Sequence, residues 1–186
     1  MIRTSQRLKG RLVLDGGRLR GSFFQRAVVM ICQQNARGTI GFMLNRLNGA
    51  RAGDTFGTEL PQSLTEYPVY IGGPMEPSQL GFLFSDAFLG ETNLLPDLRW
   101  GFSLEELIGI TEFLSATQQV KLFAGYTGWC PGQLEEEIRH KGWLVHPASL
   151  DLLFDSDAQQ LWQKILRQKG WRNRLLATMP EDLRWN

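Results

Sequence analysis

The sequence predicts an α+β fold whose strands pair mostly antiparallel. Three observations lead there. Short runs rich in β-branched and aromatic residues dominate the first two-thirds of the chain, and helix-capping patterns cluster in the second half. The third is size: 186 residues, 42% of them hydrophobic, suffice for one core without disulfides or metals. The whole chain, 1–186, therefore reads as a single domain, with 1–9 and 172–186 peripheral.

The strands are expected at Leu12–Leu14, Ala27–Cys32, Thr39–Leu44, Val69–Ile71, Leu80–Phe84 and Val120–Ala124. The run Val28-Val29-Met30-Ile31-Cys32 is apolar at every position, which places it centrally with both faces covered. Gln33 to Gly38 links it to the Thr39 strand as a hairpin closed by Gly38. Asn48 to Asp54, rich in glycine and small residues, reads as a surface loop. Three helices follow. Ser103-Leu104-Glu105-Glu106 is a capping box that opens the first. Pro131 suits the first turn of a second, running through Leu134 and Ile138 to about Lys141. Ser156-Asp157-Ala158-Gln159 caps a third, with Leu161, Trp162, Ile165 and Leu166 as its apolar stripe and Gly170 as its stop.

Composition excludes several functions. Twenty Lys plus Arg against nineteen Asp plus Glu leave a net charge of +1, without the basic footprint of a dedicated nucleic-acid binder. Two cysteines and two histidines, without a close pair of either, imply no zinc site, and the residues point to no metal and no cofactor. No apolar run approaches the ~20 residues of a membrane span, and the polar N-terminus resembles no signal peptide. A reduced, cytoplasmic protein is the expectation.

Candidate chemistry gathers in the segment Gly125 to Glu137, where Gly125, Gly128 and Gly132 point to unusual backbone geometry or close approach. Gly128-Trp129-Cys130-Pro131-Gly132 fits a cysteine nucleophile elbow, but Pro131 has no N–H to donate to an oxyanion. Cys130 is accordingly a weak catalytic candidate, with His140 and His146 as the available bases. Gly72-Gly73-Pro74 ends one strand and Asn45-Arg46 another; Arg46 offers a planar fork to an anion or an internal carboxylate, and Arg26 has the same ambiguity. The C-terminal stretch interleaves Lys164, Arg167, Lys169, Arg172 and Arg174 with Trp162 and Trp171, compatible with a nucleic-acid surface but better read as a solvated helix face.

Taken in order, these clusters resemble the AlgH/YqgE family of small bacterial proteins. The matching residues are Gly10, Leu12-Val13-Leu14, Phe24, Arg26, Val28, Val29, Cys32, Gly38, Gly41, Asn45-Arg46, Pro68-Val69, Gly72-Gly73-Pro74 and Gly81-Phe82. Gly125-Tyr126, Gly128-Trp129, Gly132-Gln133-Leu134-Glu135, Glu137, Trp143, Leu153-Phe154-Asp155 and Trp162 complete the series. Gly21-Ser22 stands where the family has Asp-Pro, Leu47 where it has Pro, and Thr127 where it has Ala. The resemblance implies a sheet curled into an open, barrel-like core with helices packed outside. It implies no established reaction, although some members are described as transcriptional regulators.

The expected function is therefore a non-enzymatic domain that binds a protein partner or small-molecule ligand, with a regulatory role open. The surface is expected to comprise Asn45, Arg46, Gly72, Gly73, Pro74, Gly125, Gly128, Trp129, Gly132, Gln133 and Glu135. Alternatively, Arg46 and Glu135 pair with each other and stitch the sheet to a helix. Two further readings are a thiol-dependent hydrolase or redox protein using Cys130, and a weak DNA-binding regulator. A homodimer is compatible with all of them.

Overall fold

The computed structural model describes residues 7–57, 59–86, 92–111 and 118–180. Among the described residues there are nine strands: β1 (Arg11–Asp15), β2 (Val28–Asn35), β3 (Gly38–Met43), β4 (Leu47–Arg51), β5 (Pro68–Ile71), β6 (Met75–Ser85), β7 (Leu98–Gly101), β8 (Gln119–Trp129) and β9 (Trp143–Pro147). The α-helices are α1 (Ala52–Phe56), α2 (Leu104–Thr111), α3 (Gln133–Arg139), α4 (Ala158–Gln168) and α5 (Trp171–Thr178). The strand order is β4-β5-β8-β3-β2-β1-β9, with β6 and β7 branching from β8. Among the described residues every ladder is antiparallel except β5–β8. The order ends in β4 and β9, so the sheet stays open and does not close into a barrel.

Period-two alternation explains the layering. On β2, Val28, Met30 and Cys32 face one core while Val29 and Ile31 face another. The first core lies under α4 and α5, through Leu161, Trp162, Ile165, Leu166 and Ala177. The second lies under α3, through Leu134. A third core joins Leu122, Phe82 and Phe84 to Ala52 and Leu107 of α1 and α2. The continuous apolar run of β2 is thus central and covered on both faces, as its sequence predicts.

Several boundaries differ from expectation. Asn48 to Asp54 is not a loop: β4 pairs with β5, and α1 follows directly. α4 is capped by Asp157, whose side chain accepts from Gln159 N at 2.9 Å, while the Ser156 hydroxyl donates to Asp151 O. In the predicted capping box, Ser103 Oγ accepts from Glu106 N at 3.1 Å, but Glu106 reaches toward Arg99 at 3.6 Å rather than back to the cap. Gly170 does follow α4, yet it also opens α5, whose Ala177 is buried, so Arg172 to Thr178 belong to the packed structure.

The sheet edges are blunted against strand addition. On β9, Lys169 Nζ donates to Val145 O at 2.9 Å, and Pro147 has no N–H to offer. On β7, the Asn93 amide takes both main-chain groups of Trp100, at 2.8 and 3.0 Å. On β4 the ladder with β5 is irregular between Leu47 and Arg51.

Candidate functional site

The two glycine-containing segments meet each other and the end of β3, but not around one cavity. Gly72 N donates to Ala124 O at 2.9 Å, and Met43 N donates to Gly72 O at 2.8 Å. A methyl group on Gly72 would lie 2.1 Å from Gly125 O, and one on Gly73 would lie 2.2 Å from the Tyr126 carbonyl. Backbone therefore seals against backbone at the junction of β3, β5 and β8. Only Pro74 of this trio is exposed.

Of the remaining expected residues, Asn45 and Arg46 line one cleft and Gly128, Trp129 and Gln133 another, at opposite ends of β3 and separated by about 20 Å at ~3.3 Å per residue, while Gly132 and Glu135 line neither. The first, of about 450 Å³, lies beyond the C-terminal end of β3 and is lined by Gln25, Arg26, Asn45, Arg46, Gln159, Trp162 and Gln163. The second, of about 480 Å³, lies at its N-terminal end, with Gly128, Trp129, Cys130 and Gln133 in its lining.

Asn45 is a scaffold within the first cleft. Its Oδ1 accepts from Val28 N at 2.8 Å and its Nδ2 donates to Arg26 O at 2.9 Å, extending β3 where backbone pairing ends. Arg26 adopts a left-handed φ of 56°, costing an ordinary residue about 1–2 kcal/mol. The strain is held from both sides, because Arg26 N donates to Oδ2 of the buried Asp15 at 2.8 Å while its carbonyl receives the Asn45 amide. Oδ1 of Asp15 accepts from Gly17 N and Leu19 N. The Arg26 guanidinium lies over Trp162, 5.2 Å from the ring, and donates to Met179 O at 2.6 Å. Trp162 is itself fixed by donation from its indole to Asp15 O at 2.9 Å. Strained backbone held by buried polar groups concentrates at functional sites. Replacing Asn45 with alanine is expected to cost about 2 kcal/mol, since Val28 N and Arg26 O each lose a partner; chemical denaturation measures it.

Arg46 does not pair with Glu135. Its Nη1 donates to Phe23 O at 2.7 Å and its Nη2 to Gln25 O at 3.3 Å, with the guanidinium 5.1 Å from the Phe23 ring centre. Glu135 Oε1 instead accepts from Gln34 Nε2 at 2.6 Å.

The Trp129 segment is chiefly structural. Glu137 Oε2 accepts from both indoles, Trp129 at 3.1 Å and Trp143 at 2.7 Å, and Oε1 accepts from Gln133 Nε2 at 2.9 Å. Gln133 Oε1 in turn accepts from Cys130 N at 3.0 Å. Gly132 supplies the left-handed residue, φ 79°, that opens α3. This Trp-Glu-Trp clamp was hidden in the sequence, because its members lie eight and six positions apart with no local pattern joining them; the joint appearance of Trp129, Glu137 and Trp143 in the family resemblance was the available signal.

Cys130 is exposed, and Cys32 is buried, with burial pushing its thiol far up. Among the described residues no hydrogen bond joins Cys130 Sγ to a histidine: His140 lies 3.2 Å from Glu136, and His146 stands on β9. Trp162 is enclosed rather than presented with the basic side chains of α4, whereas Trp171 is 69% exposed. No helix among the described residues is long and apolar enough to cross a membrane. Among the described residues no group of three His, Cys, Asp or Glu could hold a metal ion.

An open α+β sheet with helices outside and clefts at both ends of a central strand defines the structural class. Within that class, the AlgH-like family model (DUF179) matches residues 12–174, and the chain belongs to this family. A UPF0301 protein of Chlorobium phaeobacteroides is 33% identical over 190 residues, covering 97% of each chain. One from Chlorobium luteolum is 32% identical over 180 residues, covering 92% of this chain and 91% of that relative. The AlgH protein of Pseudomonas aeruginosa superposes with a TM-score of 0.69 at 24% identity, covering 97% of this chain and 99% of its own. A Corynebacterium diphtheriae protein gives 0.72 at 22% identity, over 96% and 95% of the two chains. At these identities the structural likeness carries the fold alone.

Proposed function

We propose that this protein is a non-enzymatic binding domain whose polar cleft, beyond the end of β3, receives a carboxylate- or phosphate-bearing group. The observation behind this reading is Arg46. Its guanidinium is half-buried and anchored by two main-chain carbonyls, and no carboxylate among the described residues pairs with it. Two of its roughly five N–H donors are spent, so the charge and the remaining donors stay available to an anion. Amide side chains of Gln159 and Gln163 add donors and acceptors on the α4 wall.

The test is a titration of isotope-labelled protein with inorganic phosphate, followed by amide chemical shifts. Perturbations should centre on Gln25–Arg26 and Gln159–Gln163. Arg46→Met should weaken binding at least tenfold while lowering the melting point only slightly, through the two lost hydrogen bonds. Equal phosphate affinity in wild type and Arg46→Met would reject the reading.

A further inference from the structure

The second cleft stands at the other end of β3, and an unusual backbone excursion builds it. Met75 pairs with Tyr126 and Leu80 with Ala124, so Glu76 to Gln79 bulge out opposite the single residue Gly125. Gly125 takes φ 72° and Glu76 φ 44°; a side chain on Gly125 would lie 2.6 Å from Met75 O. Bulges of this kind re-aim side chains. Here Met75 is left 43% exposed, its sulfur over Gly128 where a methyl group would come within 2.6 Å. The Tyr126 hydroxyl donates to Glu76 Oε1 at 3.1 Å, which steadies the ring.

The result is a cleft with apolar walls and a cationic rim. Met75, Tyr126, Ile40 and Trp129 supply the walls, while Gly38 and Gly128 keep part of the surface free of side chains. Its volume of about 480 Å³ falls within the ~300–1,000 Å³ usual for small-molecule sites. Arg37 is the cation in the lining; it is exposed, and among the described residues it has no carboxylate partner. Its backbone is fixed because Asn35 Oδ1 accepts from Arg37 N at 2.8 Å. A thioether beside an aromatic ring favours flat π-systems, and a guanidinium favours an anion.

We propose that this cleft binds a flat aromatic molecule carrying an anionic group, with its ring laid against Met75 and Tyr126 and its anion on Arg37. The site is separate from the Arg46 cleft and does not depend on it.

Cys130, exposed in the lining, is a built-in reporter, because Cys32 is fully buried and does not compete for an alkylating reagent. The probe is 8-anilinonaphthalene-1-sulfonate added to the intact protein. Saturation should slow iodoacetamide alkylation of Cys130 at least fivefold. The uncharged analogue N-phenyl-1-naphthylamine should bind at least tenfold more weakly. Arg37→Gln should weaken the sulfonate tenfold, Met75→Glu should abolish protection, and Arg46→Met should change neither. Both cleft positions are exposed, so the variants should melt like wild type. Fluorescence without protection of Cys130 would overturn the proposal, as would equal binding of the neutral analogue or wild-type affinity in both cleft variants.

Discussion

Replacing Lys121 with methionine should stabilise the protein by about 2 kcal/mol near pH 7. Lys121 stands on β8, only 6% exposed, with its ammonium 4.3 Å over the Tyr70 ring. No carboxylate among the described residues forms an ion pair with it. Burial lowers its pKa from 10.5 to about 8. At 1.36 kcal/mol per tenfold change in acidity, keeping the ammonium inside the folded protein costs about 3 kcal/mol. The cation–π contact returns ~1 kcal/mol. Methionine fills similar volume without the charge, so the surplus appears as stability. For a chain of this size that is a rise of roughly 4–8 °C in melting temperature.

The same residue sets a pH dependence of definite sign. Because the folded-state pKa lies below the unfolded one, the penalty is complete below about pH 8, where both states hold the proton. Between about 8 and 10.5 the unfolded state binds more protons than the folded state, and wild-type stability gains from rising pH. The gap between Lys121→Met and wild type should therefore narrow across that window. Tyr70, its hydroxyl pushed up from 10.0 by burial and then by Asp157, keeps its proton in the folded state at both test pH values and does not drive the change in the gap. Paired melts at pH 7 and pH 9.5 decide the matter; a methionine variant that melts lower at pH 7, or a gap constant with pH, would remove this account of Lys121.

What the sequence reveals follows from how local each signal is. β2 and β3 are legible because their apolar runs are long and joined by a short hairpin ending at Gly38. β9 has five residues and pairs with β1, more than a hundred positions away, so nothing beside Trp143 announces it. β7 has four residues of mixed character and relies on Asn93 for its outer edge. α5 places Trp171 and Leu175 in solvent and carries no clear apolar stripe, which makes it read as a tail. At the candidate sites, Asn45, Arg46 and Arg26 were legible as strand-end residues, and the structure brings them together. The separation of Gly128, Trp129 and Gln133 from them was not legible. It depends on which end of β3 meets β8, and the Thr39–Trp129 register settles that only in three dimensions.

Gly72→Ala should be strongly destabilising for so small a change, costing about 3–4 kcal/mol. Gly72 sits where β5 leaves the parallel ladder with β8, and its carbonyl accepts from both Met43 N at 2.8 Å and Thr127 Oγ1 at 3.1 Å. An added methyl would lie 2.1 Å from Gly125 O, 3.0 Å from Gly125 C and 3.1 Å from Phe123 Cβ. Two of these three neighbours are backbone atoms of the central strand, so no rotamer change relieves the clash. Overpacking in a tight core costs ~1–3 kcal/mol, and parting the strands adds at least one weakened hydrogen bond at ~1 kcal/mol. Gly109→Ala is the matched control: it lies on the exposed face of α2 with nothing within 4 Å of the new methyl. There the substitution should stabilise by up to ~1 kcal/mol through helix propensity. Urea denaturation of both variants should thus show opposite signs for one chemical change. Equal, near-neutral effects would mean that β3, β5 and β8 do not close on one another at Gly72 as described.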